Sequence, residues 1–177
     1  LEFLEKFDCP FYKVASSDIT FVQLIKKIAD TGKPVIISTG YSSFEDIDRI
    51  LNNISFKNEV AFLQCSSAYP AAANQINLNI IPEMIKRFPN NIIGYSGHDS
   101  GIVIPLAAYM KGARIIEKHF TLSRALKGSD HAMSLEPDGL SKMCRGFEKL
   151  KESFGSNIKE KMPYEEKFIY KHIFYSN

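Results

Sequence analysis

The chain has 177 residues, 45% of them hydrophobic, which is enough for one globular domain with a sizeable core. A net charge of +2 with 24% charged residues lacks the concentrated positive charge of a nucleic-acid-binding surface. No apolar run approaches the roughly 20 residues that span a bilayer, and the first residues do not resemble a signal peptide, so we expect no membrane association and a cytoplasmic location. The three cysteines, Cys9, Cys65 and Cys144, lack CxxC spacing, which favours buried, reduced thiols.

Five short β-branched runs alternate with longer helical patterns along the chain. The runs are FYKVAS from Phe11, VIISTG from Val35, VAFLQCS from Val60, IIGYSG from Ile92 and RIIEKHF from Arg114. Each run ends in small or polar residues, as a strand does where it passes into a loop. The order therefore predicts five repeated strand and helix units.

Two of the intervening segments carry clear helix signals. FVQLIKKIADTG has apolar residues at helical spacing, and Gly32 can end that helix in the left-handed conformation. In SSFEDIDRILNNI, Ser42 and Glu45 have capping-box spacing. The buried face predicted for this second helix consists of Ile47, Ile50, Leu51 and Ile54.

Nearly all-apolar strands joined by helices favour a parallel sheet covered by helices, either a doubly wound sheet or part of a barrel. The pattern alone does not choose between these folds. In both of them the loops at the carboxyl ends of the strands converge on one face, and the polar residues of this chain follow the strands there. We assign residues 1–155 to this unit and interpret residues 156–177, which are charged and aromatic without periodicity, as an exit segment or linker.

Two histidines follow neighbouring predicted strands. His98 lies just beyond the strand from Ile92, and His119 ends the strand from Arg114. Neutral imidazoles suit a divalent first-row metal, and strand alternation would place Glu117 on the same side as His119. A structural or general-base role for either histidine is the alternative.

Hydroxyl and charged side chains follow the other strands. Ser38, Thr39 and Gly40 stand between a strand and a helix start, where hydroxyls and backbone N–H groups can hold a phosphate, although such turns favour these residues in any case. The first strand brings Lys13, Ser16 and Asp18, and the lysine could equally extend its stem along apolar surface. Further on, Asp130 and His131 lie in a glycine-containing loop where turn or cap roles are common. Together these residues favour a phosphorylated, oxygen-rich substrate bound with a metal.

The motifs resemble those of the sialic acid synthase family. Between about Phe11 and about Leu150 they are, in order, KVASSD, GKPVIISTG, FLQCSSAYP, NLNIIP, GYSGHDSG, IIEKHFTL and KGSDHAMSLEPDGL. The resemblance implies a TIM-type (β/α)8 barrel, an α/β fold of which this chain would supply the last five strand and helix units. It also implies condensation of phosphoenolpyruvate with N-acetylmannosamine or its 6-phosphate, giving a nonulosonic acid and phosphate.

The same resemblance implies roles for individual residues. His98 and His119 would bind the divalent metal, usually manganese in the family, with magnesium or cobalt as alternatives. The phosphate and carboxylate of phosphoenolpyruvate would be held by Lys13, Ser16, Ser38 and Ser96. Near the N-acylmannosamine substrate would lie Asp18, Tyr69 and Asp130, and Ser67 would also bind substrate. The catalytic side chains would be Lys13, Asp18 and Asp130.

The resemblance also implies parts that lie outside this sequence. In the family, the first three strands bring a glutamate, a lysine and an asparagine to the site, and a C-terminal domain supplies an arginine within a homodimer. We therefore expect the chain alone to be inactive in condensation. A non-catalytic remnant that binds metal or a sugar phosphate, and a pseudaminic or legionaminic acid synthase, remain the alternatives.

Overall fold

The computed structural model describes residues 1–165 and contains one parallel sheet of five strands. The strands lie in chain order, and all five predicted strands are confirmed, with β4 as long as its run and the other four shorter. They are β1 (Tyr12–Val14), β2 (Val35–Ser38), β3 (Val60–Cys65), β4 (Ile92–Gly97) and β5 (Ile116–Lys118). Because all are parallel, their carboxyl ends lie at one edge of the sheet.

Helices connect and cover the strands. They are α1 (Glu2–Glu5), α2 (Val22–Asp30), α3 (Phe44–Asn53), α4 (Ile80–Arg87), α5 (Val103–Met110) and α6 (Pro137–Ser153). The predicted end of α2 is confirmed, since Gly32 has a φ of +74°, in the left-handed region that glycine adopts without strain.

The predicted cap of α3 is wrong by one residue. Ser43, and not Ser42, is the N-cap: its hydroxyl accepts a hydrogen bond from the Asp46 backbone N–H, and the Asp46 carboxylate accepts one from the Ser43 N–H. The Ser42 hydroxyl instead donates to the Thr39 carbonyl. On the predicted buried face, Leu51 is only partly buried, whereas the three isoleucines, Ile47, Ile50 and Ile54, are fully buried.

Alternation along the strands separates two faces of the sheet. The helix-covered face contains buried side chains of every strand but the last, among them Tyr12, Val14, Ile37, Phe62 and Tyr95. The opposite face contains Lys13, Ser38, Leu63, Ser96 and Glu117. The polar residues of this second face lie toward the carboxyl edge, so the fold brings the predicted site residues to one surface.

The predicted barrel is confirmed in part. The described residues form a five-stranded parallel α/β half-barrel, and five strands do not close a barrel of eight. Residues 156–165 are exposed with one short turn at Pro163–Glu165, and residues 166–177 of the predicted exit segment lie outside the described residues.

The cysteine prediction needs a correction. All three thiols are free, as expected, but only Cys65 is buried, while Cys9 is partly exposed and Cys144 is exposed. Cys144 lies on α6, of which Met143 alone is fully buried. Among residues 1–165, no helix is both long enough and apolar enough to cross a membrane.

Candidate metal and anion site

The two histidines predicted to converge do lie side by side. His98 and His119 follow Gly97 and Lys118, the last paired residues of β4 and β5, and their ring centroids are 5.2 Å apart. Two imidazoles at this separation can share one divalent ion, since each metal–nitrogen bond is about 2 Å long. The rings are not sealed in hydrocarbon, because the half-exposed Tyr69 is the aromatic neighbour of both.

Hydrogen bonds orient the His98 ring. Its Nδ1 lies 3.0 Å from the Ser66 carbonyl, which can only accept, so Nδ1 carries the proton and Nε2 keeps its lone pair. Cys65 Sγ lies 3.8 Å from the same nitrogen, and this contact raises the pKa of His98 although burial acts in the opposite direction. A backbone carbonyl on the second ring nitrogen is the usual support of a metal-binding histidine.

His119 has a different electrostatic environment. Burial lowers its pKa, and the neighbouring His98 lowers it further, so the imidazole is neutral at physiological pH. Asp130 Oδ2 lies 3.7 Å from His119 Nδ1, so the predicted loop carboxylate does reach the histidine pair. A neutral ring is the form that binds a metal ion.

Lys13 and Ser96 both contact the carboxylate of Glu117, which is two residues before His119 in the sequence. Lys13 Nζ is 3.4 Å from Glu117 Oε2 and donates to the Val14 carbonyl at 2.9 Å. The Ser96 hydroxyl donates to Glu117 Oε1 at 3.3 Å. Strand alternation had predicted Glu117 on the same side as His119, and these contacts confirm that it faces the site.

Three loops meet at a hydroxyl-lined rim, which consists of Ser16, Ser38, Gly40 and Ser67. The Gly40 N–H donates to Ser16 Oγ at 3.0 Å. A Cβ at Gly40 would lie 2.2 Å from Ser67 Oγ and 2.7 Å from Ser16 Oγ, so only glycine allows this close approach. The Ser38 hydroxyl is buried and has no hydrogen-bond partner within residues 1–165. An unpaired buried hydroxyl is costly, which favours a ligand atom as its partner.

Some predicted residues are not joined to this group. Asp18 lies in a short 3-10 turn, and within the described residues its carboxylate makes no hydrogen bond or ion pair. The Thr39 hydroxyl is used by the Leu63 carbonyl at 2.9 Å, and the Gly40 N–H by Ser16, so two predicted phosphate donors are already occupied. His131 lies 2.7 Å from the Thr121 hydroxyl rather than at the histidine pair.

Sequence reasoning missed a buried polar network beside the histidines. Asp99 and Lys118 form an ion pair of 3.3 Å with side chains 4% and 3% exposed, and the Tyr95 hydroxyl donates to Asp99 at 2.7 Å. Burial lowers the pKa of Lys118, although Asp99 acts in the opposite direction. The sequence does contain a signal for this network, because each histidine has a charged neighbour: Asp99 follows His98, and Lys118 precedes His119.

The side chains present can supply two of the ligands that a divalent metal needs. Within residues 1–165 no group of three or more histidine, cysteine or acidic side chains is arranged to hold an ion. His98 and His119 could therefore supply two ligands, and the remaining positions would fall to water or to substrate oxygens. Nitrogen ligands with open positions are the pattern of a catalytic rather than a structural metal centre.

The parallel half-barrel, with polar residues at its carboxyl edge, places the protein in the class of parallel α/β folds built from strand and helix units. Sequence comparison specifies the family within that class. The chain belongs to the NeuB family, whose sequence profile matches residues 1–159. The resemblance to the sialic acid synthase family is thereby confirmed.

Individual relatives carry names of nonulosonic acid synthases. The chain is 40% identical over 166 residues to N-acetylneuraminate-9-phosphate synthase of Homo sapiens, covering 93% of this chain and 46% of that protein. It is 35% identical over 173 residues to N,N'-diacetyllegionaminic acid synthase of Campylobacter jejuni, covering 96% and 52%. The chain thus spans about half the length of the curated relatives it matches.

A solved structure agrees with the fold. The N-acetylneuraminic acid (sialic acid) synthetase of Leptospira borgpetersenii, in complex with citrate, superposes with a TM-score of 0.83 and 33% sequence identity. The superposition covers 96% of this chain and 59% of that structure. The half-barrel therefore has the arrangement of one part of a sialic acid synthetase.

Proposed function

We propose that this chain carries the metal-binding and phosphoenolpyruvate-binding part of a sialic acid synthase. The complete enzyme would condense phosphoenolpyruvate with N-acetylmannosamine or its 6-phosphate. The observation that carries the proposal is the histidine pair, with ring centroids 5.2 Å apart, beside Lys13 and the hydroxyl-lined rim. The names of the relatives support the same reaction class.

Local charge argues that metal and phosphoenolpyruvate bind together. Without a cation, the carboxylates of Glu117 and Asp130 outnumber the ammonium of Lys13, while both imidazoles count as neutral. The formal sum is then +1 − 2 = −1, which repels an anionic substrate. A divalent ion changes it to −1 + 2 = +1, so each ligand should strengthen the binding of the other.

Lys13 and the serines would hold the anionic groups of phosphoenolpyruvate. Lys13 is positioned by Glu117 and by a backbone carbonyl, with a side chain 28% exposed and so accessible to a ligand. The unpaired Ser38 hydroxyl and the Ser16 hydroxyl at the rim would donate to phosphate or carboxylate oxygens. The Leptospira relative was solved with citrate, which like phosphoenolpyruvate is a small anion that carries carboxylate.

The proposed reaction uses these residues. A divalent ion, when bound, would act as a Lewis acid on the open-chain sugar aldehyde. The enol carbon of phosphoenolpyruvate forms the new C–C bond, while Lys13 and the serine donors stabilise its phosphate and carboxylate. Water then adds at the cationic carbon left behind, and phosphate departs by C–O cleavage. The sugar alkoxide formed by this attack takes up a proton and the added water loses one, and we assign the sugar-side proton transfer to Asp130, which lies beside His119 in a loop.

The sugar itself is the finer part of the proposal. The human N-acetylneuraminate-9-phosphate synthase is more similar than the legionaminic acid synthase, at 40% against 35% identity, which favours an N-acetylmannosamine-type acceptor. A pseudaminic or legionaminic acid synthase is the second candidate, because relatives with those names match nearly the whole chain. Turnover of the complete enzyme with each acylated sugar would separate them.

Calorimetric titration of manganese into this chain, with and without phosphoenolpyruvate, tests the proposal without needing turnover. We expect phosphoenolpyruvate to lower the Kd for manganese by roughly tenfold, within the usual range of coupling between two sites. His119→Ala should weaken manganese binding sharply, because one of the two proposed ligands is lost, whereas His131→Gln, a change in a ring bound to Thr121, should preserve it. Equal manganese binding by wild type and His119→Ala would contradict the proposal.

A further inference from the structure

The buried network beside the histidines consists of Tyr95, Asp99 and Lys118, and the metal and anion site uses none of these side chains. We propose that it positions the histidine pair for metal binding by fastening the end of β4 to the end of β5. This inference rests on the proposed function. It concerns positioning residues, because the network lies on the other side of the strands from the rim.

The register of the sheet places this network next to both histidines. Gly97 and Lys118 are the last registered pair of β4 and β5, and His98 and His119 are the residues that follow. Asp99 is the next residue after His98, and Lys118 precedes His119 directly. A bond between Asp99 and Lys118 therefore spans the two segments from which the imidazoles project.

Three contacts hold the network together, although they leave Asp99 Oδ2 without a hydrogen bond among the described residues. Lys118 Nζ lies 3.3 Å from Asp99 Oδ2 and also donates to the Asp99 backbone carbonyl. On the other carboxylate oxygen, Oδ1 accepts from the Tyr95 hydroxyl at 2.7 Å. Tyr95 is itself 1% exposed, so the far end of the network is anchored in the core. Lys118 thus holds both the side chain and the backbone of the residue after His98.

Gly97 gives independent evidence that the turn around His98 is tightly packed against Asp99 and Tyr95. A Cβ at Gly97 would lie 2.6 Å from Asp99 Oδ1 and 2.6 Å from Tyr95 Cε1. The chain can therefore fold Asp99 back against Tyr95 only because residue 97 has no side chain. His98 lies inside this fold, between Gly97 and Asp99.

Backbone contacts on the site side complete the arrangement. The Ala71 N–H donates to the His98 carbonyl at 3.1 Å, and the Leu135 N–H donates to the His119 carbonyl at 2.8 Å. Each histidine backbone is thus held by a different loop, whereas the ion pair of Asp99 and Lys118 connects the two histidine segments to each other. Without it, no side-chain hydrogen bond or ion pair among residues 1–165 would join the two strand ends beyond the last backbone pair of β4 and β5, and the separation of the rings would depend on that pair and on these loops.

The alternative to positioning is a purely electrostatic role, and the two make opposite predictions for one variant. An ammonium near the site opposes a dication, so a purely electrostatic network would bind manganese more tightly after Lys118→Met. Positioning predicts weaker binding after the same change, because the connection between the strand ends is lost. Asp99→Asn should weaken binding in either case, since it leaves a buried ammonium without its partner.

The test is the manganese Kd, from calorimetry on the full chain, for wild type, Lys118→Met, Asp99→Asn and Tyr95→Phe. We expect the first two changes to weaken binding by at least about tenfold, the usual loss when support of a metal ligand is removed. Lys142→Met removes an exposed ion pair on α6 and serves as the control, with unchanged affinity. Unchanged or tighter binding by folded Lys118→Met would overturn the proposal.

A second readout keeps the test decisive if a variant is unstable or if metal does not bind. Circular dichroism melts identify variants that do not fold. If Lys118→Met does not fold, Tyr95→Phe tests the positioning role instead, because it keeps the ring and removes only the hydroxyl. Nitrogen NMR of 15N-histidine-labelled, metal-free protein should show shifted or broadened signals for both His98 and His119 in the variants. Wild-type protein that binds no manganese would contradict the proposed function, while unchanged histidine signals would overturn the positioning role.

Discussion

Lys13 of β1 and Glu117 of β5 lie on opposite edge strands of the sheet, yet their charged atoms are 3.4 Å apart. In a flat sheet, four strand spacings of about 4.8 Å would separate these strands by roughly 19 Å. The sheet is therefore strongly curled, and the long side chains cross its concave face. This curvature brings Lys13 of the first strand to Glu117 of the last, two residues before His119.

Lys13→Met tests the anion-binding role of this lysine. We expect phosphoenolpyruvate affinity, measured by calorimetry in the presence of manganese, to fall by about tenfold or more, because a charge-assisted contact is lost. Stability should change by less than about 1 kcal/mol in a urea melt, since the ion pair is partly exposed. Lys27→Met, which removes the exposed pair with Glu2, is the control. Undiminished substrate affinity would exclude Lys13 from the anion site.

Gly40→Ala tests the close approach of three loops at the rim. The added Cβ would meet Ser67 Oγ at 2.2 Å and Ser16 Oγ at 2.7 Å, so these hydroxyls must move. We expect weaker phosphoenolpyruvate binding with unchanged manganese binding, because the histidines are held by other strands. Gly139→Ala, where a Cβ has ordinary contacts with Leu135 at 3.4 Å or more, is the matched control. Normal substrate binding by Gly40→Ala would mean that the rim is not part of the site.

Ser43→Ala and Ser42→Ala distinguish the two possible caps of α3. Removing the Ser43 hydroxyl should cost about 1 kcal/mol of unfolding free energy, the typical loss at an N-cap. Ser42→Ala removes a single hydrogen bond to Thr39 and should cost less. Urea denaturation of the two variants compares them directly, and a larger loss for Ser42→Ala would contradict the assigned cap.

The fold was largely predictable because its signals are local. Five apolar runs, each followed by a helical pattern, predicted all five strands and their parallel direction, but not their order in the sheet, because a doubly wound sheet and a barrel fit the same pattern. His98 and His119 were predictable as neighbours since both follow adjacent strands, whose carboxyl ends meet at one edge. Glu117 followed from strand alternation in the same way.

Other features depend on information that a local pattern does not carry. The serines at 42 and 43 each have an acidic residue three positions later, so spacing could not choose the cap, and only the hydrogen bonds of the chain entering α3 decide it. The contact between Lys13 and Glu117 requires the curvature of the whole sheet. The pairing of Asp99 with Lys118 requires Asp99 to fold back toward Tyr95. Gly97 allows this turn, but a glycine at this position does not by itself predict it.

Metal affinity should depend on pH through the histidine pair. The contact with Cys65 raises the pKa of His98, whereas burial and then His98 lower the pKa of His119. Protons compete with a metal for the lone pair, so competition at His98 should begin above the ordinary histidine pKa of about 6.5. We expect the manganese Kd to be constant above the His98 pKa and to increase as the pH falls below it. Calorimetry from about pH 8 to about pH 5.5 measures this, and a Kd that stays constant throughout would be inconsistent with imidazole ligands.

The most direct measurement is pulsed electron paramagnetic resonance of manganese bound to the chain, which detects nitrogen atoms in direct contact with the ion. The account predicts two coupled imidazole nitrogens in wild-type protein and one after His98→Ala or His119→Ala, at metal concentrations that saturate each variant. Bound manganese without imidazole coupling, or with the same coupling after both histidines are replaced, would contradict it.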